Sequence, residues 1–172
     1  MEHTEPLISV VIPSRRMPDL LIRAAQSAFA QTLQPMEVIV LVDIHDEGTL
    51  KVLKKIERPS LKIKTLPACK SPGEIRNLGV SEARGTWIAF LDDEDEWAPQ
   101  KLEMQWQTAK QSKNTYPVIS CRVTSRLAEK DFVWPRRFPY RGEPLSEYLF
   151  CRSTPFWGEG LIKLSTLLMK KE

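Results

Sequence analysis

Five consecutive acidic residues, 92–96, are the feature of this sequence best suited to chemistry. They directly follow the apolar residues 87–91, which predicts that the acidic run lies at the end of a buried strand. Like charges repel by roughly 4 kcal/mol per pair at about 4 Å and an effective dielectric constant of about 20, so solvent or a cation must offset that repulsion. Hard divalent ions such as Mg2+ and Mn2+ take oxygen ligands and often keep substrate phosphates in their shells. The run therefore favours a metal site. The alternative is an exposed acidic turn that caps a helix starting near Pro99.

Two further apolar runs also end in polar residues. Residues 8–12 are followed by a Pro-Ser-Arg-Arg segment at 13–16, and residues 38–42 are followed by Asp43. The carboxyl ends of parallel strands share one edge of a sheet, so we expect these residues to meet the acidic run in one cleft. Neither GxGxxG nor GxxxxGK[ST] is present, so a pyrophosphate would be held by a metal or by arginines.

Strand and helix patterns alternate along the first two thirds of the chain. The predicted strands are residues 8–12, 38–42, 61–65 and 87–91, and the predicted helices are residues 18–29, 49–56 and 72–84 and a segment starting at Pro99. Gly85 stands where a C-terminal helix cap is expected. This alternation predicts an α/β fold with a doubly wound, mostly parallel sheet. After Cys121 several prolines interrupt the pattern, so we expect one domain over residues 1–118 and an irregular segment over residues 119–172.

Composition excludes several classes of protein. The three cysteines, Cys69, Cys121 and Cys151, form no CxxC pair, which argues against a zinc site or a disulfide framework. No apolar run is long enough to span a membrane, and the polar N-terminus lacks the pattern of a signal peptide. A net charge of +3 is too small to indicate nucleic acid. We therefore expect a cytoplasmic protein with no transmembrane segment and no nucleic-acid partner.

Taken in order, several segments resemble family 2 glycosyltransferases, which have the Rossmann-like GT-A fold. The matching segments are residues 8–14, 28–32, 37–43, 76–85 and 89–97, and the resemblance covers about residues 7–105. It implies a protein that binds a nucleoside-diphosphate sugar, with a UDP-sugar as the first expectation. It also implies transfer of the sugar to an acceptor hydroxyl, with inversion and with Mn2+ or Mg2+ as cofactor. The acceptor would be a saccharide or a lipid-linked molecule.

The resemblance also assigns roles to individual residues. The nucleotide-sugar-binding residues that it implies are Pro13, Ser14, Arg15, Asp43, Arg76, Asp92 and Asp93. Among these, Asp43 would accept a hydrogen bond from the base, and Arg76 would contact the base or a phosphate. The implied metal residues are Asp93, Glu94 and Asp95. Glu94 occupies the third position of the family's DxD motif, where Asp is usual, and Asp95 is the alternative ligand.

The catalytic base is the least defined part of this interpretation. Related enzymes place a carboxylate base well downstream of the acidic motif, and Glu159 is the candidate here. The chain ends soon after residues 161–166, so we expect donor binding with little sugar transfer. Three alternatives stay open: a nucleotidyltransferase, a haloacid-dehalogenase-type phosphatase, and a nucleotide-binding module without turnover.

Overall fold

The computed structural model describes residues 6–67, 71–127, 130–150 and 160–171. The strands are β1 (Ile8–Pro13), β2 (Glu37–Asp43), β3 (Leu61–Leu66), β4 (Trp87–Phe90), β5 (Val118–Ile119), β6 (Val123–Leu127), β7 (Lys130–Trp134) and β8 (Leu168–Lys170). The helices are α1 (Pro18–Phe29), α2 (Glu47–Leu53), α3 (Pro72–Glu82), α4 (Lys101–Gln111) and α5 (Leu145–Phe150), and a 3-10 helix spans Leu164–Thr166. No helix within these ranges is long and apolar enough to cross a membrane.

Six strands form one mostly parallel sheet in the order β3-β2-β1-β4-β8-β5. Strands β1 to β4 run parallel to one another, whereas β8 runs antiparallel to both β4 and β5. The chain moves outward from β1 to β2 and β3, and then returns to place β4 on the other side of β1. The strand order therefore reverses beside β1, and open α/β sheets bind ligands at such a reversal. The predicted α/β fold with a mostly parallel sheet is confirmed.

Helices cover both faces of this sheet, which explains why the central strands are apolar at nearly every position. In β1, Val10 and Ile12 pack with α1 and α4 on one face. Val11 lies in a second cluster on the opposite face, together with Leu78 of α3. The edge strand β3 is half-buried at most positions, as its alternation with lysines predicts.

Three local predictions about helix ends were wrong. Helix α2 spans Glu47–Leu53, and not residues 49–56. Helix α4 begins at Lys101 and not at Pro99, and Ala83, not Gly85, is the C-cap of α3. Gly85 has a different role, because a Cβ there would lie 2.6 Å from the carbonyl oxygen of Leu7. Backbone atoms cannot move away from such a contact, so Gly85 is required where the chain passes β1.

The segment after residue 118 contains regular structure, although its prolines predicted an irregular segment. Strands β6 and β7 form an antiparallel hairpin outside the main sheet. Strand β8 returns to the main sheet and lies between β4 and β5. The proposed division into residues 1–118 and 119–172 stays a proposal, although β8 of the second part completes the sheet of the first.

Candidate functional site

The loop after β1 and the acidic run after β4 are joined directly. The backbone N–H of Arg15 donates to Asp93 Oδ2 at 2.5 Å. The N–H of Ser14 donates to the carbonyl of Leu41 in β2 at 2.9 Å. Pro13, the last residue of β1, is buried between these contacts and pairs in register with Leu41. Residues from three strand ends therefore meet at one edge of the sheet.

Asp43 ends β2 at the same edge and already has two partners. Its Oδ1 accepts from the N–H of His45 at 2.9 Å, and its Oδ2 accepts from Arg16 at 2.5 Å. The His45 N–H and the Arg16 guanidinium together lower the pKa of Asp43. Arg16 has a φ of 65°, an uncommon value for a residue other than glycine.

Arg76 approaches the site from the second turn of α3. A reciprocal pair of hydrogen bonds between Ser71 and Glu74 caps this helix, so its N-terminal turn starts at a defined position. Arg76 pairs with Asp92 of the acidic run, and the two side chains are 12% and 18% exposed. Glu82, a half-exposed carboxylate on the same helix, pairs with Lys64 and not with Arg76. Arg76 therefore lies beside the acidic run at this edge of the sheet, and its contact with a nucleotide stays a prediction.

The acidic run is divided among several partners, which offsets the repulsion between its carboxylates. Beyond the Asp92 and Asp93 contacts, Asp95 pairs with Lys163 at 3.3 Å and Glu96 pairs with Arg23 at 2.7 Å. Glu94 is exposed. Asp93 is 1% exposed, and this burial raises the pKa of its carboxyl despite the hydrogen bond from Arg15.

Whether these residues can hold a divalent metal depends on how many carboxylate ligands the metal requires. Within the described ranges, no three acidic, histidine or cysteine side chains are grouped closely enough to hold an ion by themselves. Asp95 Oδ2, however, is buried and has no hydrogen-bond partner. Mg2+ is commonly bound by one or two carboxylates together with substrate phosphates. The residues therefore fit a metal that arrives with a diphosphate, and not a metal held by the protein alone.

Unsatisfied polar atoms are concentrated at this edge. The described buried side-chain atoms without a hydrogen-bond partner are Ser14 Oγ, Asp46 Oδ2, Thr49 Oγ1, Arg76 Nε and Asp95 Oδ2. All five belong to segments that follow the carboxyl ends of the parallel strands: the loop after β1, the start of α2, α3 and the acidic run. Buried polar groups are nearly always hydrogen-bonded, so a cluster of unpaired ones indicates a place for a polar ligand.

The segment that precedes β8 also contributes to the site, and no local sequence pattern predicts this. Ser165 accepts from the backbone N–H of Asp92 at 2.9 Å, and its carbonyl accepts from Trp97 Nε1 at 2.8 Å. Lys163 belongs to the same segment. These residues are about 70 positions from the acidic run, and no local pattern indicates that β8 lies next to β4. Glu159, the candidate base, lies outside the described residues.

Sequence comparisons identify the family of this chain. The profile described as "Glycosyl transferase family 2" matches residues 9–160. The succinoglycan biosynthesis protein ExoO of Rhizobium meliloti is 33% identical over 104 residues, which cover 60% of this chain and 30% of that protein. An Escherichia coli protein, UDP-Glc:alpha-D-GlcNAc-diphosphoundecaprenol beta-1,3-glucosyltransferase WfaP, is 28% identical over 127 residues, covering 74% of this chain and 49% of that one. The chain thus matches less than half the length of these relatives.

Solved structures show the same fold. S. aureus TarS (residues 1–349) in complex with UDP-GlcNAc matches 63% of this chain and 32% of that one, with a TM-score of 0.57 and 23% identity. The mannosyltransferase PcManGT from Pyrobaculum calidifontis, in complex with GDP-Man and Mn2+, matches 69% of this chain and 36% of that one, with a TM-score of 0.57 and 19% identity. The fold is therefore GT-A, as the resemblance implied. Together with the profile match over most of the sequence, this shows that the chain belongs to glycosyl transferase family 2.

Proposed function

We infer that this chain binds a nucleoside-diphosphate sugar, most simply a UDP-sugar, at the carboxyl edge of the sheet. We also infer that it serves transfer of the sugar to a hydroxyl of a saccharide or lipid-linked acceptor. The supporting observation is that buried, unpaired polar atoms of Ser14, Arg76 and Asp95 all belong to segments at this edge, where a polar ligand would satisfy them. Because the chain belongs to glycosyl transferase family 2, we do not retain the nucleotidyltransferase and phosphatase alternatives.

The names of similar proteins support this choice of donor. WfaP is named for a UDP-glucose donor and a diphosphoundecaprenol acceptor, and TarS was solved with UDP-GlcNAc. PcManGT was solved with GDP-Man, so GDP is the second nucleotide to test. A cytoplasmic location stays part of this proposal.

Individual roles follow from the contacts of each residue. Asp43 can accept an N–H of the base, because carboxylate oxygens accept more than one hydrogen bond. Arg76 has an unpaired Nε and mostly buried surroundings, which supports a role in binding the base or a phosphate. Ser14 has an unpaired hydroxyl and lies between Pro13, the last residue of β1, and Arg15. We place these three residues against the nucleoside.

We place Mn2+ or Mg2+ on the acidic run. Asp92 is paired with Arg76, and we assign it to the ribose. The ligands that we propose are Asp93, which is buried, and Asp95, whose Oδ2 is buried and unpaired. Glu94 is exposed, and its side chain, which is longer than that of Asp, would have to turn inward to serve as a ligand. When bound, the metal would neutralise charge that develops on the departing diphosphate. Inversion of the sugar requires a base that removes the acceptor proton, and Glu159 is proposed for that role.

Calorimetric titration with UDP and GDP, in Mn2+ and in excess EDTA, tests the donor site. We expect one nucleotide to bind more tightly with Mn2+, because metal and diphosphate stabilise each other's binding by the same factor. Asp95→Ala should remove the effect of Mn2+, and Glu94→Ala should preserve it. Equal affinity with Mn2+ and with EDTA would refute the metal proposal, and loss of the metal effect in Glu94→Ala alone would make Glu94 the ligand.

Turnover is tested separately from binding. Hydrolysis or transfer of the matching nucleotide sugar should be detectable with a panel of saccharide and lipid-linked acceptors. Tight binding without any turnover would favour the alternative of a nucleotide-binding module. Loss of transfer in Glu159→Gln, with nucleotide affinity unchanged, is the result expected of a general base, which typically contributes about 10²–10⁴-fold in rate.

A further inference from the structure

Lys163 brings a positive charge from the C-terminal segment to the acidic run. Its Nζ lies 3.3 Å from Asp95 Oδ1, although 68 residues separate the two in the chain. The Lys163 side chain is 41% exposed and that of Asp95 is 25% exposed. The second carboxylate oxygen of Asp95 is buried and unpaired. The ammonium is therefore half-exposed beside Asp95, and the contact that holds it is long and partly solvated.

The backbone beside Lys163 is firmly held. The Ser165 hydroxyl accepts from the Asp92 N–H, and the Ser165 carbonyl accepts from Trp97 Nε1. The Thr166 carbonyl accepts from the side chain of Gln105 at 2.7 Å. These contacts hold the backbone next to Lys163 in place, while the flexible four-carbon side chain lets the ammonium move by several ångströms.

The other cations that pair with the acidic run are less suited to follow a ligand. Arg76 is 12% exposed and its guanidinium is held against Asp92. Arg23 of α1 pairs with Glu96, and both side chains are more than half exposed to water. Lys163 combines an anchored backbone, a mobile charge and a position next to Asp95.

A diphosphate would change the partner that Lys163 prefers. The five carboxylates of residues 92–96 repel a diphosphate, so binding requires additional positive charge. A divalent ion on Asp95 would repel the neighbouring ammonium of Lys163. The phosphate oxygens bound to that ion would then offer the ammonium a new, charge-assisted hydrogen bond within its reach.

We propose that Lys163 is a diphosphate-binding residue, which pairs with Asp95 in the free protein and moves to the diphosphate of the bound nucleotide. This proposal rests on the donor site proposed above. It assigns the segment before β8 a direct part in donor binding, in addition to its place in the sheet.

The test compares a nucleoside with its diphosphate in four proteins: wild type, Lys163→Gln, Lys163→Arg and the matched control Arg23→Gln. Arg23 also pairs with the acidic run, but through the exposed Glu96. Affinities for uridine and UDP, or for guanosine and GDP if the wild type prefers GDP, are measured by calorimetry in Mn2+. Lys163→Gln should weaken diphosphate binding about tenfold, the value of one hydrogen bond to a charged group. The affinity for the nucleoside should be unchanged. Lys163→Arg should restore most of the loss, and Arg23→Gln should bind both ligands as the wild type does.

The possible outcomes separate this proposal from the proposed function. An equal loss of nucleoside and diphosphate affinity in Lys163→Gln would show that the lysine merely supports the acidic run, and would overturn the proposal. Unchanged diphosphate affinity would overturn it as well, while leaving the donor site intact. A wild-type protein that binds neither UDP nor GDP would overturn the proposed function and the role of Lys163 together.

Discussion

Glu37, at the edge of the sheet opposite the candidate site, provides a sharp test of how this fold is stabilised. It begins β2 and is fully buried, yet it is charged. Its carboxylate accepts from Ser9 Oγ at 2.6 Å and from the Arg84 N–H at 2.6 Å, and it pairs with Lys62 at 2.5 Å. Replacing it by Gln keeps the size of the side chain and removes the charge.

The expected cost follows from the pKa of this carboxyl. Burial by itself raises the pKa of Glu37, but the hydrogen bonds from Lys62, Ser9 and the Arg84 N–H outweigh it and lower the value from 4.5 to about 2. That difference is worth about 3 kcal/mol of folding free energy at neutral pH. Because the pKa in the folded protein is depressed, this stabilisation is present above the unfolded value. It is lost as the pH falls toward 2, and about half or less remains near pH 3.

Urea unfolding of wild type, Glu37→Gln and Glu82→Gln at several pH values measures this contribution. Glu82 is a matched control because it also pairs with a lysine of β3, Lys64, but both side chains are at least 36% exposed. We expect Glu37→Gln to lower the free energy of unfolding by about 3 kcal/mol at pH 7, and Glu82→Gln by less than about 1 kcal/mol. Nucleotide affinity should not change in either variant. A Glu37→Gln loss as small as that of Glu82→Gln, or one that stays constant between pH 7 and pH 3, would refute this account.

Two further predictions concern α3 and the cleft. Gly79→Ala would place a Cβ 2.3 Å from Val11 Cγ1 and should cost about 1–3 kcal/mol in urea unfolding, whereas at Gly73 an added Cβ has open space. Gly73→Ala should leave stability unchanged or slightly raised, and equal effects of the two substitutions would contradict the close packing of α3 on β1. Arg76→Ala should weaken nucleotide binding and lower the free energy of unfolding by about 2–4 kcal/mol, because it leaves the mostly buried Asp92 without its partner. Adding Asp92→Ala to that variant should cost much less than Asp92→Ala in the wild type, and additive costs in this double-mutant cycle would contradict a direct pair.

Local patterns were sufficient for most of the sheet and for the edge at which polar residues from several strand ends meet. Residues 8–12 and 38–42 are apolar at nearly every position because both faces of a central parallel strand are covered, and each of these residues is buried. The polar residues that follow such runs must lie at one edge, since parallel strands point the same way. The contact between the N–H of Arg15 and Asp93 is the direct outcome of that rule.

Details that depend on distant neighbours could not be predicted in this way. Gly85 has the sequence position of a helix cap, but its close approach to Leu7 explains its small size. The metal was predicted because the carboxylates of the acidic run repel one another and a cation would offset that repulsion. That repulsion is partly offset by Arg76, Lys163 and Arg23, which come from three separate elements.

Side-chain type and spacing within single segments are sufficient to predict strands β1 to β4, the helices between them and the edge at which polar residues collect. Which charge pairs with which carboxylate, and where β8 enters the sheet, depends on contacts between segments that are distant in the sequence. Lys163 reaches Asp95 across 68 residues only because β8 lies between β4 and β5. Strand pairing at such separations depends on the packing of the whole domain, and no periodicity within a single segment encodes it.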